Sequence, residues 1–304
     1  MKKVFLCFCM LVLTSYLAFS QGIKVISSEQ IPNLDGSYNP VLSPTGEYIV
    51  FTGNDLNGLL KYDFTTKEVT TLTTDVGAGF DVQISSDGNT IVYRKTEYKN
   101  RLRHTTLKSI NVKTAKETEL VKATRNLQGV RVADGTVLSV DNGKMKSKKI
   151  SGEKVSNPVV TSIDKGQLYV TKNNRTQRVS PAGTDVSYLW TSISPDGSKL
   201  LYYVIEHGRA YVSNLDGTNP ISLGVLRAAK WMGNNWVIGM VDRDNGEIVT
   251  SSRIVGVAAD GTGRTDLTQD SVIATNPSAS ADASKIVYCT NEGKVFLMKI
   301  ETTK

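Results

Sequence analysis

The sequence predicts an all-β chain assembled from copies of a four-stranded antiparallel unit, and three observations predict it. A Ser-x-Asp-Gly turn, complete or degenerate, recurs seven times along the 304 residues. An apolar run rich in β-branched and aromatic residues follows each turn within a few positions, as a buried strand would. No helical period persists long enough to suggest a helical domain.

The best copy spans residues 188–224. A strand-like run at 189–194 reaches the Pro195-Asp196-Gly197 turn, an apolar strand occupies 200–205, and Glu206-His207-Gly208 leads into a third strand at 210–214. A second turn, Asp216-Gly217-Thr218-Asn219, opens a short fourth strand at 221–223. Gly supplies positive φ, while Pro and Asp preset the bend, so tight turns are expected at both places. A four-stranded meander cannot bury both its faces alone, and it therefore belongs to an array.

The other turns are Ser43-Pro44-Thr45-Gly46, Ser85-Ser86-Asp87-Gly88, Ala133-Asp134-Gly135, Asp164-Lys165-Gly166, Met232-Gly233-Asn234 and Ala281-Asp282-Ala283-Ser284. The second strands that follow lie at 48–51, 90–93, 137–140, 168–170, 236–241 and 285–289. Copies at 39–75, 80–122 and 276–301 are well formed, and that at 228–270 keeps its third strand and turn. The segment 126–185 is poorer. It holds either two short copies of about thirty residues or one long degenerate copy, and a repeat of roughly 40 residues favours two.

These Ser-Pro-Asp-Gly turns between first and second strands resemble those of the TolB-like and WD-related β-propellers, and the resemblance covers nearly the whole chain after its leader. It implies a ring of four-stranded antiparallel blades, seven in the favoured count and six in the alternative. It also implies a role as an envelope adaptor.

Taken in order, the chain begins with Met1-Lys2-Lys3, an apolar run at 4–13 and a small-x-small site at Ala18-Phe19-Ser20. This is the layout of a secretory signal peptide, with cleavage expected near Ser20/Gln21 and a periplasmic or secreted product. The run is too short for a spanning helix. Residues 21–304 then read as one β-propeller domain. Cys7 and Cys9 fall in the leader, which leaves Cys289 as a lone buried thiol and no internal disulfide. Residues 23–27 form a strand-like stretch ahead of the first copy, and the last copy stops after its third strand. The N-terminal strand is expected to supply the missing outer strand and close the ring, which removes two sheet edges.

Charge and insertions come next. The formal net charge is +7, from 36 Lys and Arg against 29 Asp and Glu. The excess is concentrated between Arg94 and Arg125 and again from Lys144 to Lys154, as either a solvated outer face or an anion-binding flank. Nucleic acid is excluded as a partner because no aromatic platform is interleaved among these bases. The insert at 93–105 and the loop Asp242-Arg243-Asp244-Asn245-Gly246-Glu247 join second to third strands, where exposed binding loops are usual. The acidic loop lacks the alternating ligand set of a calcium loop.

Catalysis finds little support. His104 and His207 are the chain's two histidines, and no Gly-x-Ser-x-Gly, His-Glu-x-x-His or Cys-x-x-Cys pattern is present. Propellers that resemble this repeat include metal-dependent oligogalacturonate lyases using several histidines, a pattern two histidines do not fill. No catalytic residue, metal ligand or cofactor is expected. The expected site is the mouth of the central channel, where the loops leading into the innermost strands carry Asn39, Asp81, Gln128, Asn157, Tyr188, Trp190, Lys230 and Asn276. Tyr188 and Trp190, two apart on one strand, are expected to share a face. Amides and aromatics suit peptide or sugar. The sequence thus reads as a monomeric, exported, non-catalytic scaffold for a protein or peptide partner, with a carbohydrate-binding or lyase-like propeller as the alternative.

Overall fold

The computed structural model describes residues 22–152 and 155–303, so the expected signal peptide at 1–20 lies outside the described residues. Seven antiparallel sheets succeed one another as blades. Blade 1 spans residues 38–73, blade 2 83–124, blade 3 127–149, blade 4 159–179, blade 5 188–224, blade 6 227–266 and blade 7 274–303. The segment 126–185 holds two blades, and each has three strands where the other five have four. Gly22–Gln30 pairs antiparallel with Val295–Thr303 and becomes the outer strand of blade 7. Its Ile23 is buried with Met298, Ile300, Trp236 and Ile254.

The apolar runs take their character from where the second strand lies. Tyr48–Thr52 is buried at every position, as is Lys285–Thr290 beyond its first residue, because both faces of that strand meet a neighbouring blade. Burial of each such side chain contributes about 1.5–3 kcal/mol, which is why continuous runs replace alternation. Outer strands such as Val69–Thr73 and Lys144–Lys149 are largely exposed and polar. Seven separate apolar cores fill the seven gaps between successive blades, the gap between blades 7 and 1 included. The ring is therefore closed by packing as well as by pairing.

The smallest core, Leu138, Val140 and Val160, joins the two short blades. Arg131 reinforces this stretch from the innermost strand of blade 3. Its guanidinium donates to the Val159 carbonyl of blade 4 at 3.0 Å and to the Ser194 carbonyl of blade 5 at 3.0 Å.

At one end of the ring the repeated turns share an internal hydrogen-bond pattern. Ser85, Ser194 and Ser280 are buried, and their hydroxyls donate to Asp87, Asp196 and Asp282 at 2.5–2.6 Å. The same oxygens accept the amide five residues on, from Thr90, Lys199 and Lys285. The fourth turn position is left-handed in every case: Gly46, Gly88 and Gly197 at φ 71°, 69° and 75°, and Ala283 at 56°. Only glycine adopts that conformation without steric cost.

Candidate functional site

At the opposite end of the ring lie the loops into each innermost strand and the hairpins between second and third strands. The innermost strand slips register against the second strand in blades 1, 3, 5, 6 and 7. In blades 1, 5, 6 and 7 the first residue inside the slip has positive φ, Asn39 (50°), Trp190 (45°), Ala228 (47°) and Asn276 (52°), whereas Gln128 in blade 3 does not. Asp81, at 51°, holds the same place in blade 2, two residues ahead of Gln83. Asn and Asp accept this conformation readily, whereas Trp and Ala hold it at a cost of order 1–3 kcal/mol. The mouth is thus a ring of bulges that re-aim side chains.

The slip in blade 5 separates the two aromatics expected to share a face. Tyr188 is fully buried toward blade 4, its ring edge-on to Tyr202, and its hydroxyl donates to the Gly183 carbonyl at 2.8 Å. Trp190 is turned to the other side by the extra residue. It is 40 % exposed and stands edge-on to Tyr203, with ring centroids 4.9 Å apart. Tyr188 is therefore a core residue, and Trp190 alone of the pair reaches the mouth.

The other expected residues divide similarly. Gln128 spends its amide oxygen on the Gly143 N–H at 2.8 Å, closing the hairpin of blade 3. Asp81 is salt-bridged to Arg94, whose guanidinium also lies over the Phe80 ring. Asn157 is exposed ahead of Val159–Asp164, and Asn39 and Asn276 are half-buried in their bulges. Lys230 does not belong to the ring of bulges. Ala228 holds that place in blade 6, and Lys230 lies two residues deeper on the innermost strand. Its side chain is open to solvent yet surrounded by protein, and desolvation lowers its pKa despite attraction from Asp81. Lys230 is the exposed position of the innermost strand Arg227–Met232, the strand that lines the channel.

Two long hairpins rise beside the mouth, Thr90–Lys99 with Leu102–Asn111 in blade 2 and Trp236–Asp244 with Val249–Ala258 in blade 6. The first is braced at its base by Asp75, which accepts from Lys108 Nζ at 2.7 Å and from the Tyr93 hydroxyl at 3.1 Å. Partial burial pushes the Asp75 carboxyl up, but these partners outweigh it and hold it below its usual value. Phe80, Leu189, Ile205, Val225 and Ile248 are exposed on this same end, and residue type alone gave no sign of them. His104 and His207 lie on different blades, each bonded to a near neighbour. Among the described residues no three His, Cys, Asp or Glu converge to hold a metal.

No protein-family model and no curated protein matches the sequence. The structure does have likenesses. TolB from Acinetobacter baumannii aligns with a TM-score of 0.54 at 14 % identity, over 80 % of this chain and 57 % of TolB. The fold is a seven-bladed β-propeller, similar to that of TolB. The chain thus spans little more than half of TolB's length. An oligogalacturonate lyase in complex with manganese aligns at 0.51 and 13 % identity, over 88 % of this chain and 77 % of the lyase. A chain of a mitotic checkpoint complex aligns at 0.60 and 8 % identity, over 91 % and 95 %. At such identities the likeness is one of architecture and nothing finer. No helix among the described residues is long and apolar enough to cross a membrane.

Proposed function

We propose that this protein is an exported, non-catalytic propeller that holds a protein or peptide partner against the mouth of its ring. One observation carries the reading. Among the described residues thirteen large hydrophobic residues stand exposed, and ten of them lie at the mouth end, on loops, hairpins or the start of an innermost strand: Val76, Phe80, Tyr98, Leu102, Leu189, Trp190, Ile205, Val225, Ile248 and Val249. The remaining three, Ile26, Val69 and Ile221, are on outermost strands. Apolar side chains gathered on one face of a rigid ring mark a surface for association. Trp190 is its anchor, since large aromatics dominate contact energies. Asn39, Asp81, Asn157 and Asn276 surround it with polar groups, and Lys230 sets a cation in the channel for an acidic group of the partner.

Photo-crosslinking in the native host tests this. A benzophenone amino acid at Phe80 is expected to trap a partner, while the same probe at Thr66, on the turn end, is expected to trap none. Adducts from both positions alike, or from Thr66 only, would overturn the reading. The mass of the exported protein is expected to place its N-terminus at Gln21.

A second reading, oligosaccharide binding, draws on the same exposed Trp190 and on the likeness to the lyase. A saturable rise in melting temperature with oligogalacturonate, abolished by Trp190→Ala, would favour it over the protein adaptor.

A further inference from the structure

The concentration of positive charge in blades 2 and 3 resolves into two parts. Arg94, Lys95, Lys99, Lys108 and Lys146 are each paired with a carboxylate. Lys116 and Lys149 have no acidic partner among the described residues, and Lys148 donates only to the Glu119 carbonyl, at 3.0 Å. These three lysines are among the residues that line one pocket of about 250 Å³ between the outer half of blade 2 and the end of blade 3. It opens toward the turn end, away from the mouth.

The floor of this pocket is polar where the other blades are filled. Five residues after the turn serine, blades 1, 5 and 7 carry Tyr48, Lys199 and Lys285. Each reaches a partner: Tyr48 the Gly88 carbonyl at 2.7 Å, Lys199 the Asn214 amide oxygen at 2.7 Å, and Lys285 the Gly46 carbonyl at 3.0 Å. In blade 2 the position is Thr90, whose short side chain leaves the space open. Thr90 is 4 % exposed, and its hydroxyl is buried without a hydrogen-bond partner. Ser109 and Thr118, paired across the third and fourth strands, line the same wall. Blade 3 has no fourth strand to cover them.

We propose that this pocket binds a tetrahedral oxyanion, phosphate or sulfate, free or as the ester of a small molecule. A pocket lined by lysines without carboxylate partners and by a threonine whose hydroxyl has no hydrogen-bond partner suits a compact ligand with several acceptor oxygens and negative charge. No carboxylate lines the pocket to repel it. The volume falls below the 300–1,000 Å³ usual for drug-sized ligands, so the anion itself is the recognised group.

Titration of the full-length protein at low ionic strength with inorganic phosphate, sulfate and glucose 6-phosphate tests the proposal, by calorimetry and by melting temperature. Phosphate is expected to bind saturably, to be displaced by sulfate, and to raise the melting temperature. Tighter binding of glucose 6-phosphate than of phosphate assigns an ester as the ligand, and weaker binding assigns the free ion. The K116Q/K149Q double variant is expected to bind at least tenfold more weakly. Thr90→Val, which removes only an unpartnered hydroxyl, is expected to melt no lower than the parent without phosphate and to bind it several-fold more weakly. K144Q/K146Q, on the same strand but outside the pocket, is the control. No saturable binding up to tens of millimolar, an unchanged K116Q/K149Q variant, or an equal loss in K144Q/K146Q would overturn the proposal.

Discussion

The two ends of the ring use the same backbone conformation for different purposes. At the turn end of blades 1, 2 and 5 the left-handed position falls to Gly46, Gly88 and Gly197, with Ala283 in blade 7, and the turn polar groups are bonded either within the turn or to a neighbouring blade. At the mouth they fall to Asn39, Asp81, Trp190, Ala228 and Asn276, and exposed apolar side chains stand beside them. Glycine at the turns makes the bend without strain and presents nothing to solvent. Side chains at the mouth accept strain and present a surface. Unstrained turns thus lie at one end of the disc and strained, side-chain-bearing bulges at the other, where the proposed recognition takes place.

The largest expected effect breaks the turn end. Gly197→Val places a β-branched residue at φ 75°, where its Cβ meets nothing closer than 3.8 Å, so the penalty is backbone strain rather than overlap. Chemical denaturation is expected to show a loss of about 2 kcal/mol. Trp190→Ala, measured alongside, is expected to lose less stability and more binding. A harmless Gly197→Val would remove the distinction between the ends.

Acid is the next probe. Partial burial pushes the Asp87, Asp196 and Asp282 carboxyls up, but hydrogen bonds from Ser85, Ser194, Ser280 and their neighbours outweigh it and hold all three below the usual range, Asp87 at about 2. Unfolded aspartate titrates near 3.9. Each group thus adds stability that is fully present above that value and lost as pH falls through its lower folded value. Melting temperatures are expected to fall steeply from about pH 5 to pH 2, and less steeply in D87N/D196N/D282N.

A smaller effect of opposite sign tests whether strain at the two ends is equivalent. Ala283→Gly, at the one turn lacking its glycine, is expected to gain about 0.5–1 kcal/mol. Ala228→Gly at the mouth is expected to give a similar gain. If the bulges are part of the binding surface, only the second changes capture of a partner.

The smallest effect belongs to Lys230. Its pKa is lowered by desolvation in the fold. Between that value and the roughly 10.4 of unfolded lysine, the unfolded chain binds more protons and stability rises with pH. Lys230→Met is expected to remove this slope in alkaline melts without lowering the melting temperature at pH 7.

The turns and second strands were legible in the sequence because their causes are local. Gly197 must follow Asp196 to make the bend, and 200–204 must be apolar on both faces. The count of blades in 126–185 was less so, because Lys144–Lys149 and Arg175–Val179 are exposed outer strands without fourth strands to mark the repeat. The mouth was legible as a set of loops but not residue by residue. An extra residue in the first strand of blade 5 turns Trp190 away from the side Tyr188 occupies, and alternation cannot foresee a bulge. Ala228 carries no chemical signal at all.

The pairing of Gly22 with Thr303 has a consequence in time. The first described residues of the chain are hydrogen-bonded to the last, so the ring cannot close until the whole chain has been made. Contacts of such sequence separation are slow to form, since the loop they close is nearly the entire molecule. Blades 1 to 6 each pair with strands close by in sequence, and blade 7 waits for both ends. Until then Gly22–Gln30 and the edge of Val295–Thr303 are unpaired, and the half-made propeller is most exposed to association with copies of itself.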